Sequence, residues 1–289
     1  MALLHSLAEL SRGEKSPALV VAHVEYDLRS EASRDREFVV EQAKRLGFPC
    51  HWKKVCMQSV PRIQQGDGTE ALARHLRYDF FTQLAFDIGA RHVALGHTRD
   101  DQAETILHRL LRGTGLGGVM GMPASRELSE GVSLVRPMLQ VRRQHARDFL
   151  QAIGQNWRED ESNNQVHFSR NFLRHRVLAE VESGPYPAAI EALVRFGEQA
   201  SAEMSSRLQK IEAVIEKSVE QKIDGRILIH QRGIGDDRTI VPATLIEIWK
   251  RKGWPRQELS SKHLNQLTEM IFYGFFENAS VPKAVDLPG

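Results

Sequence analysis

Leu3, Leu4 and Leu7 fall on one face of a helix predicted over Met1–Leu10. The stretch after it, Ala18–Val24 (ALVVAHV), is apolar and rich in β-branched residues, the pattern of a strand covered on both faces. Helical spacing returns over Ser33–Leu46, with Phe38, Val39 and Ala43 inward and Gly47 ending the run. His51–Val55 reads as a short strand and Gln64–Gly68 as a loop. Thr69–Ile88 reads as a long helix with Leu72, Leu76, Phe80, Leu84 and Ile88 at three- and four-residue steps. Arg91–Gly96 is a third strand, and another helix starts directly after it. Alternating strand and helix at this spacing predicts βαβ units and a parallel sheet, hence an α/β fold with ligands beyond the carboxyl ends of the strands. His23 and Arg29 are expected just past the first strand, on that edge.

Gly113–Met122 (GTGLGGVMGM) is glycine-rich and predicts a flexible surface loop. Beyond Gly184-Pro185 the pattern becomes helical. Met204, Leu208, Ile211, Ile215 and Val219 mark a long amphipathic helix, with further helices near Thr244–Lys252 and Lys262–Ile271. A boundary near Ser183 divides an α/β domain, 1–182, from a smaller helical one, 183–289.

Composition adds little to this picture. Apolar content of 41% and charged content of 26% over 289 residues are those of a globular protein. A formal charge of +2 does not single out a nucleic-acid binder. Arg136–Arg176 nevertheless carries eight arginines against four acids, a local basic excess. Cys50 and Cys56 match no zinc or iron–sulfur spacing and suit a reducing compartment. No apolar run is long enough to span a membrane and no signal-peptide pattern opens the chain, so a cytoplasmic location is expected.

The candidate chemistry lies at the start of the fourth helix, in GHTRDDQAETILHRLLRG (Gly96–Gly113). Thr98 and Asp101 have the spacing of a capping box, and carboxylates suit a helix N-terminus. Asp101, Glu104, His108 and Arg112 step by three, four and four and line one face. A solvated stripe of ion pairs explains that face as well as a functional site does. Histidine with carboxylates can also hold a divalent ion, but the spacing matches no zinc signature. A magnesium ion shared with a nucleotide suits it better than a protein-only metal site.

The whole stretch GHTRDDQAETILHRLLRGTGLGGVMGM resembles the signature of the tRNA(Ile)-lysidine synthetase family. AHVEYDLR (Ala22–Arg29), EALARHLRYDF (Glu70–Phe80), VRPML (Val135–Leu139), EDESN (Glu159–Asn163) and RNFLRH (Arg170–His175) support it in the family's order. LIEIWKRKG and VDLPG resemble its first C-terminal domain more loosely. The resemblance implies a PP-loop type of nucleotide-binding α/β domain. It implies ATP-dependent adenylation of the wobble cytidine of an isoleucine tRNA, then displacement of AMP by the ε-amine of lysine, giving lysidine. ATP and Mg2+ are the implied cofactors. A tRNA(Ile) with a CAU anticodon and free L-lysine are the implied partners, with no membrane and with a homodimer left open.

Asp101 and Glu104 are then expected to bind the lysine amine, and to steer or accept its proton, while His97 at the strand end meets a phosphate or the reacting base. His23, Arg112, Gly113, Arg170, Asn171 and Arg174 are expected at ATP or other phosphates. Arg74, Arg142 and Arg143 are expected at tRNA. Glu25-Tyr26-Asp27 stands where the family usually has Asn-His and a small residue. The family's Ser-Gly-Gly-x-Asp-Ser loop does not occur in the sequence, and relatives carry it directly before a stretch like Met1–His5. The resemblance with that loop missing implies an N-terminally trimmed enzyme with weak or absent ATP-dependent activity. The alternatives are a PP-loop tRNA-thiolating enzyme and a non-catalytic tRNA-binding remnant.

Overall fold

The structure, a computed structural model, describes residues 1–13, 17–27, 31–56, 69–158, 169–222, 226–255 and 259–273. The loop expected at Gln64–Gly68, Arg29, and the stretches Glu159–Asn163 and Val285–Gly289 lie outside the described residues.

The chain divides into two units, 1–198 and 199–289. The first unit opens with α1 (Ala2–Leu10), β1 (Val21–Tyr26), α2 (Ala32–Arg45) and β2 (Cys50–Val55). β1 and β2 pair in parallel with Val21 opposite Cys50 and Tyr26 opposite Val55, as a βαβ unit requires. Alternation along β1 sends Val24 and Tyr26 onto Leu72, Ala73 and Leu76 of α3 (Thr69–Ile88), with Val55 in the same cluster. His23 and Glu25 fall on the opposite face, where Glu25 meets Arg36 of α2. The strand therefore runs two residues beyond the expected Val24. This corrects the placement of His23, which is the third residue of β1 and not a residue past its end.

β3 (His92–Ala94) leads into α4 (Arg99–Leu111). Two strands that the sequence pattern did not announce follow, β4 (Ser125–Ser129) and β5 (Val132–Val135). They form a three-stranded sheet in the order β3-β5-β4, with β5 parallel to β3 and antiparallel to β4. Next come α5 (Arg143–Ala152), α6 (Ser169–Phe172), a π-helical stretch Leu173–Leu178, α7 (Ala179–Ser183) and α8 (Ala189–Ser218).

The inner side of α4 carries Ala103, fully buried against Ile190 and Val194 at the start of α8. That packing is why the first compact unit extends past Ser183, the boundary suggested by composition. Met138 and Leu150 bury Ala2 of α1 in a separate cluster. In the second unit, Ile211, Ile234, Ile240, Val241, Leu245 and Phe272 form the core, contributed by α8, α9 (Gln231–Ile234), the 3-10 turn Arg238–Ile240, α10 (Val241–Arg251) and α11 (Ser261–Tyr273). A small antiparallel pair, β6 (Val219–Gln221) with β7 (Ile227–Ile229), interrupts the helices of this unit. Among the described residues no helix is long and apolar enough to cross a membrane.

Candidate active site

The first turn of α4 carries both halves of a capping box. The Thr98 amide donates to Asp101 Oδ2 at 2.7 Å, and the Asp101 amide donates to the Thr98 hydroxyl at 3.4 Å. The Thr98 hydroxyl donates back to the same Asp101 oxygen at 2.7 Å. The helix start is therefore closed by its own residues. One Asp101 oxygen is left to face the interior.

Two arginines occupy that interior. Arg143 Nη2 donates to Asp101 Oδ1 at 3.0 Å and to Glu104 Oε1 at 2.9 Å. Arg174 grips Glu104 with two nitrogens, Nε to Oε1 at 2.7 Å and Nη2 to Oε2 at 2.9 Å, and reaches Asp101 Oδ1 at 3.1 Å. Glu104 is 1% exposed, so its face of α4 begins as a buried ion network and not as a solvated stripe. At the other end of the helix Leu110, Leu111 and Arg112 are exposed.

Asp100 serves a third purpose. Its Oδ2 accepts the backbone N–H of Arg143 at 2.7 Å. Helix α5 has no side-chain cap of its own, because Arg142 stands at its N-cap position. A carboxylate from α4 thus satisfies an open amide at the start of α5. Arg142 itself bridges outward to Glu182 at 3.0 Å and Glu191 at 2.5 Å, with Asp100 at 3.4 Å.

The charge states follow from this arrangement. Burial pushes the Asp101 carboxyl up, but Arg143, the Thr98 amide and hydroxyl, and Arg174 outweigh it and hold it below its ordinary value of 3.8. Burial lowers the Arg143 guanidinium, yet Asp101 and Glu104 raise it overall. A carboxylate depressed in the folded state adds stability that is complete above its unfolded pKa and is lost as pH falls through its folded pKa. Asp101→Asn is therefore expected to cost about 2 kcal/mol at pH 7. The gap to the unmodified protein should close as pH drops below 3.8. Urea melts at pH 7 and pH 3 check this, and an equal gap at both would contradict it.

The glycine-rich stretch is tied to the same helix. Gln102 makes a two-way clamp on Met122, donating to its carbonyl at 2.9 Å and accepting its amide at 2.7 Å. Arg109 donates to the carbonyls of Gly118 and Gly121, each at 2.9 Å. Only Gly113–Gly117 is exposed throughout, so the expected free loop is fixed over its second half.

Residues 1–181 match the model of the PP-loop domain family. The chain is 36% identical over 279 residues to the tRNA(Ile)-lysidine synthase of Rhodopirellula baltica, covering 88% of this chain and 68% of that protein. It is 39% identical over 226 residues to the tRNA(Ile)-lysidine synthase of Thermus thermophilus, covering 78% of this chain. The chain belongs to the tRNA(Ile)-lysidine synthase family. It spans 39% of the length of the Thermus relative, and 41% of that of a Pseudomonas fluorescens relative that is 39% identical to it. In fold the chain is similar to the U34-tRNA thiolase NcsA of Methanococcus maripaludis, solved with its [4Fe-4S] cluster. The TM-score is 0.52 at 12% identity, over 68% of this chain and 66% of that one.

Against the residues expected from the lysidine synthase resemblance, the structure brings Asp101, Glu104 and Arg174 into contact. It sets half-buried His97 between β3 and the Thr98 cap. Asn171 lies on α6, one turn before Arg174, while the Arg170 side chain lies outside the described residues. Arg112 and Gly113 stand at the far end of α4, about 16 Å along the axis from Asp101 at 1.5 Å per residue. A helix C-terminus favours cations over phosphates. His23 is half-buried on the face of β1 toward α2, where burial lowers its pKa and Arg36 adds to the effect, against Asp35 and Glu25. Arg142 and Arg143, expected at tRNA, point into carboxylates.

Arg74 does face outward on α3. Its guanidinium sits 4.9 Å from the Tyr78 ring centre, with Arg126 at 5.1 Å and Arg77 at 5.8 Å from the same ring. Sequence reasoning missed Gln102, Arg109 and the ion-pair role of Arg143. The one sequence hint for the last is that two arginines at a helix start are disfavoured by the helix dipole unless an acid lies near, which does not say which acid. Among the described residues no three of His, Cys, Asp or Glu are arranged to hold a metal ion.

Proposed function

We propose that this protein ligates L-lysine to the wobble cytidine of a tRNA(Ile) bearing a CAU anticodon, through an ATP-derived adenylated cytidine. The observation that carries this reading is the pair of half-buried Asp101 and buried Glu104 beyond the C-terminal edge of β3, in a chain of the lysidine synthase family. A lysine side chain brings an ammonium that needs ionised carboxylates in a partly dry site. Asp101 is suited to hold that charge, because its depressed pKa makes it a poor proton acceptor. Its role is therefore to seat and aim the amine, and not to take its proton.

PP-loop domains use ATP, which when bound supplies the activation of the cytidine. The donors on this chain that would suit its phosphates are Asn171 and, once it leaves Glu104 and Asp101, the Arg174 guanidinium three residues later. The N-terminus of α4 offers no such cradle, because Thr98 and Asp101 already close it. A Mg2+ ion entering with the nucleotide would take most of its ligands from phosphates and water, so it does not need the three-residue cluster that is absent among the described residues. The exposed Arg74, grouped with Arg77 and Arg126 on Tyr78, suits the tRNA backbone better than Arg142 or Arg143 does.

Thiolation is disfavoured by the placement of the two cysteines. Cys50 starts β2 and Cys56 follows its end, about 20 Å apart along an extended strand. They cannot act as a pair, and burial pushes the Cys50 thiol up, away from the reactive thiolate.

Incubation of the 289-residue protein with radiolabelled lysine, ATP and a tRNA(Ile) transcript tests the assignment. Label should enter the CAU transcript, require ATP, and fail to enter a transcript with a changed wobble base. Sulfur insertion in place of lysine, or tRNA binding with no lysine transfer, would overturn it.

A further inference from the structure

Glu104 presents a difficulty for any lysine site built on it. Its two oxygens already accept three N–H groups at 2.7 to 2.9 Å, and the side chain is 1% exposed. Asp101 has spent one oxygen on Thr98 and shares the other between two arginines. At this point two carboxylates (Asp101, Glu104) face two guanidiniums (Arg143, Arg174), while Arg142 is held apart from them by Asp100, Glu182 and Glu191. A third cation brought into that balance, with nothing released, would add an uncompensated charge to a half-buried site.

We propose that Arg174 holds the seat of the substrate's ammonium on Glu104 and Asp101, and that lysine binds by displacing its guanidinium. The proposal rests on the lysine-ligase reading above. Arg143 is not the cation that leaves. Its own backbone amide is fixed to Asp100, and it opens α5.

Arg174 stands in a different setting. It is the second residue of the π-helical stretch Leu173–Leu178, between exposed Phe172 and exposed His175 and Arg176. A π-helical turn inside a helix holds an extra residue, and converting it to α winding moves side chains without unfolding the segment. Leu173 and Leu178 stay anchored, at 3% and 4% exposure, on either side of the arginine. Release of Arg174 restores the charge balance when the ammonium arrives. It also frees a guanidinium beside Asn171 for a phosphate. Arg174 is in this sense a positioning and specificity residue: it makes the acid pair accept only a ligand whose cation outcompetes a two-pronged guanidinium.

Two measurements on the 289-residue protein test this. Equilibrium dialysis with labelled L-lysine compares the unmodified protein with Arg174→Ala and Arg174→Lys. In parallel, the Nε–Hε resonance of Arg174, assigned with the Arg174→Lys variant, is followed during lysine titration of the unmodified protein. Arg174→Ala should bind lysine about tenfold more tightly, since the competing cation is gone, while turnover falls. Arg174→Lys should fall between the two. The Arg174 resonance should move with lysine saturation.

Lysine that saturates the unmodified protein with the Arg174 resonance unmoved would overturn the exchange and leave the ligase reading standing. Weaker or unchanged lysine binding by a folded Arg174→Ala would do the same. Lysine that fails to bind any of the three proteins would overturn both. The resonance measurement needs no folded alanine variant, so misfolding of that variant does not shield the proposal.

Discussion

Glu104→Gln is expected to be the most damaging single substitution in the first unit. The neutral amide leaves Arg143 and Arg174 facing each other without the charge that joins them. Breaking a buried pair costs about 3–5 kcal/mol, and because water reaches both arginines the loss should be about 3 kcal/mol. Their side chains are 26% and 21% exposed. In a unit of this size the change corresponds to a melting point lower by about 6–12 °C. Lysine transfer to tRNA should fall about a hundredfold or more, as expected when one partner of a desolvated charge pair is removed. Thermal melts and label incorporation check the two effects separately. A variant that melts with the unmodified protein would remove the buried network from any account of the site.

Gly121→Ala should come next. The glycine has φ +76, a region where a Cβ is strained, and the added carbon would lie 2.7 Å from the Gln102 amide. Gln102 cannot retreat without losing both hydrogen bonds to Met122. The expected cost is about 2–3 kcal/mol, with the strain and the lost clamp acting together. Gly113 gives the control: it has a similar φ of +73 but nothing within 4 Å, so Gly113→Ala should cost only about 1 kcal/mol. Urea melts measure both, and faster amide exchange over 118–122 in the Gly121 variant would show that the loop has come loose. Equal losses at the two positions would contradict the clamp.

The parts of the fold that were legible in the sequence are those held by local rules. α3 spans Thr69–Ile88 as its apolar spacing predicts, although Ile88 itself is 41% exposed. The Thr98–Asp101 box marks the start of α4 because both of its hydrogen bonds lie within one turn.

Elements decided by distant contacts were not legible. β4 is largely polar and β5, though apolar, has only four residues, and the clear local signal between them was Gly131, at φ +73 in the two-residue turn between Ser129 and Val132. β1 extends to Tyr26 because its pairing with Val55 and the Tyr26 hydroxyl bond to Ala73 favour it, and neither partner is near in sequence. At the site, the acids were readable as acids. Their partners were not, since Arg143 lies 39 residues and Arg174 lies 70 residues from Glu104. Periodicity carries no information about such pairs.

The bond from Asp100 to the Arg143 amide also bears on the order of assembly. A ten-residue helix without a cap of its own is too short to persist alone in water. The acid that completes its first turn sits 43 residues earlier in the chain. α5 should thus become persistent only after α4 has docked, so the arginine that tethers the acid pair arrives late, on a scaffold already formed.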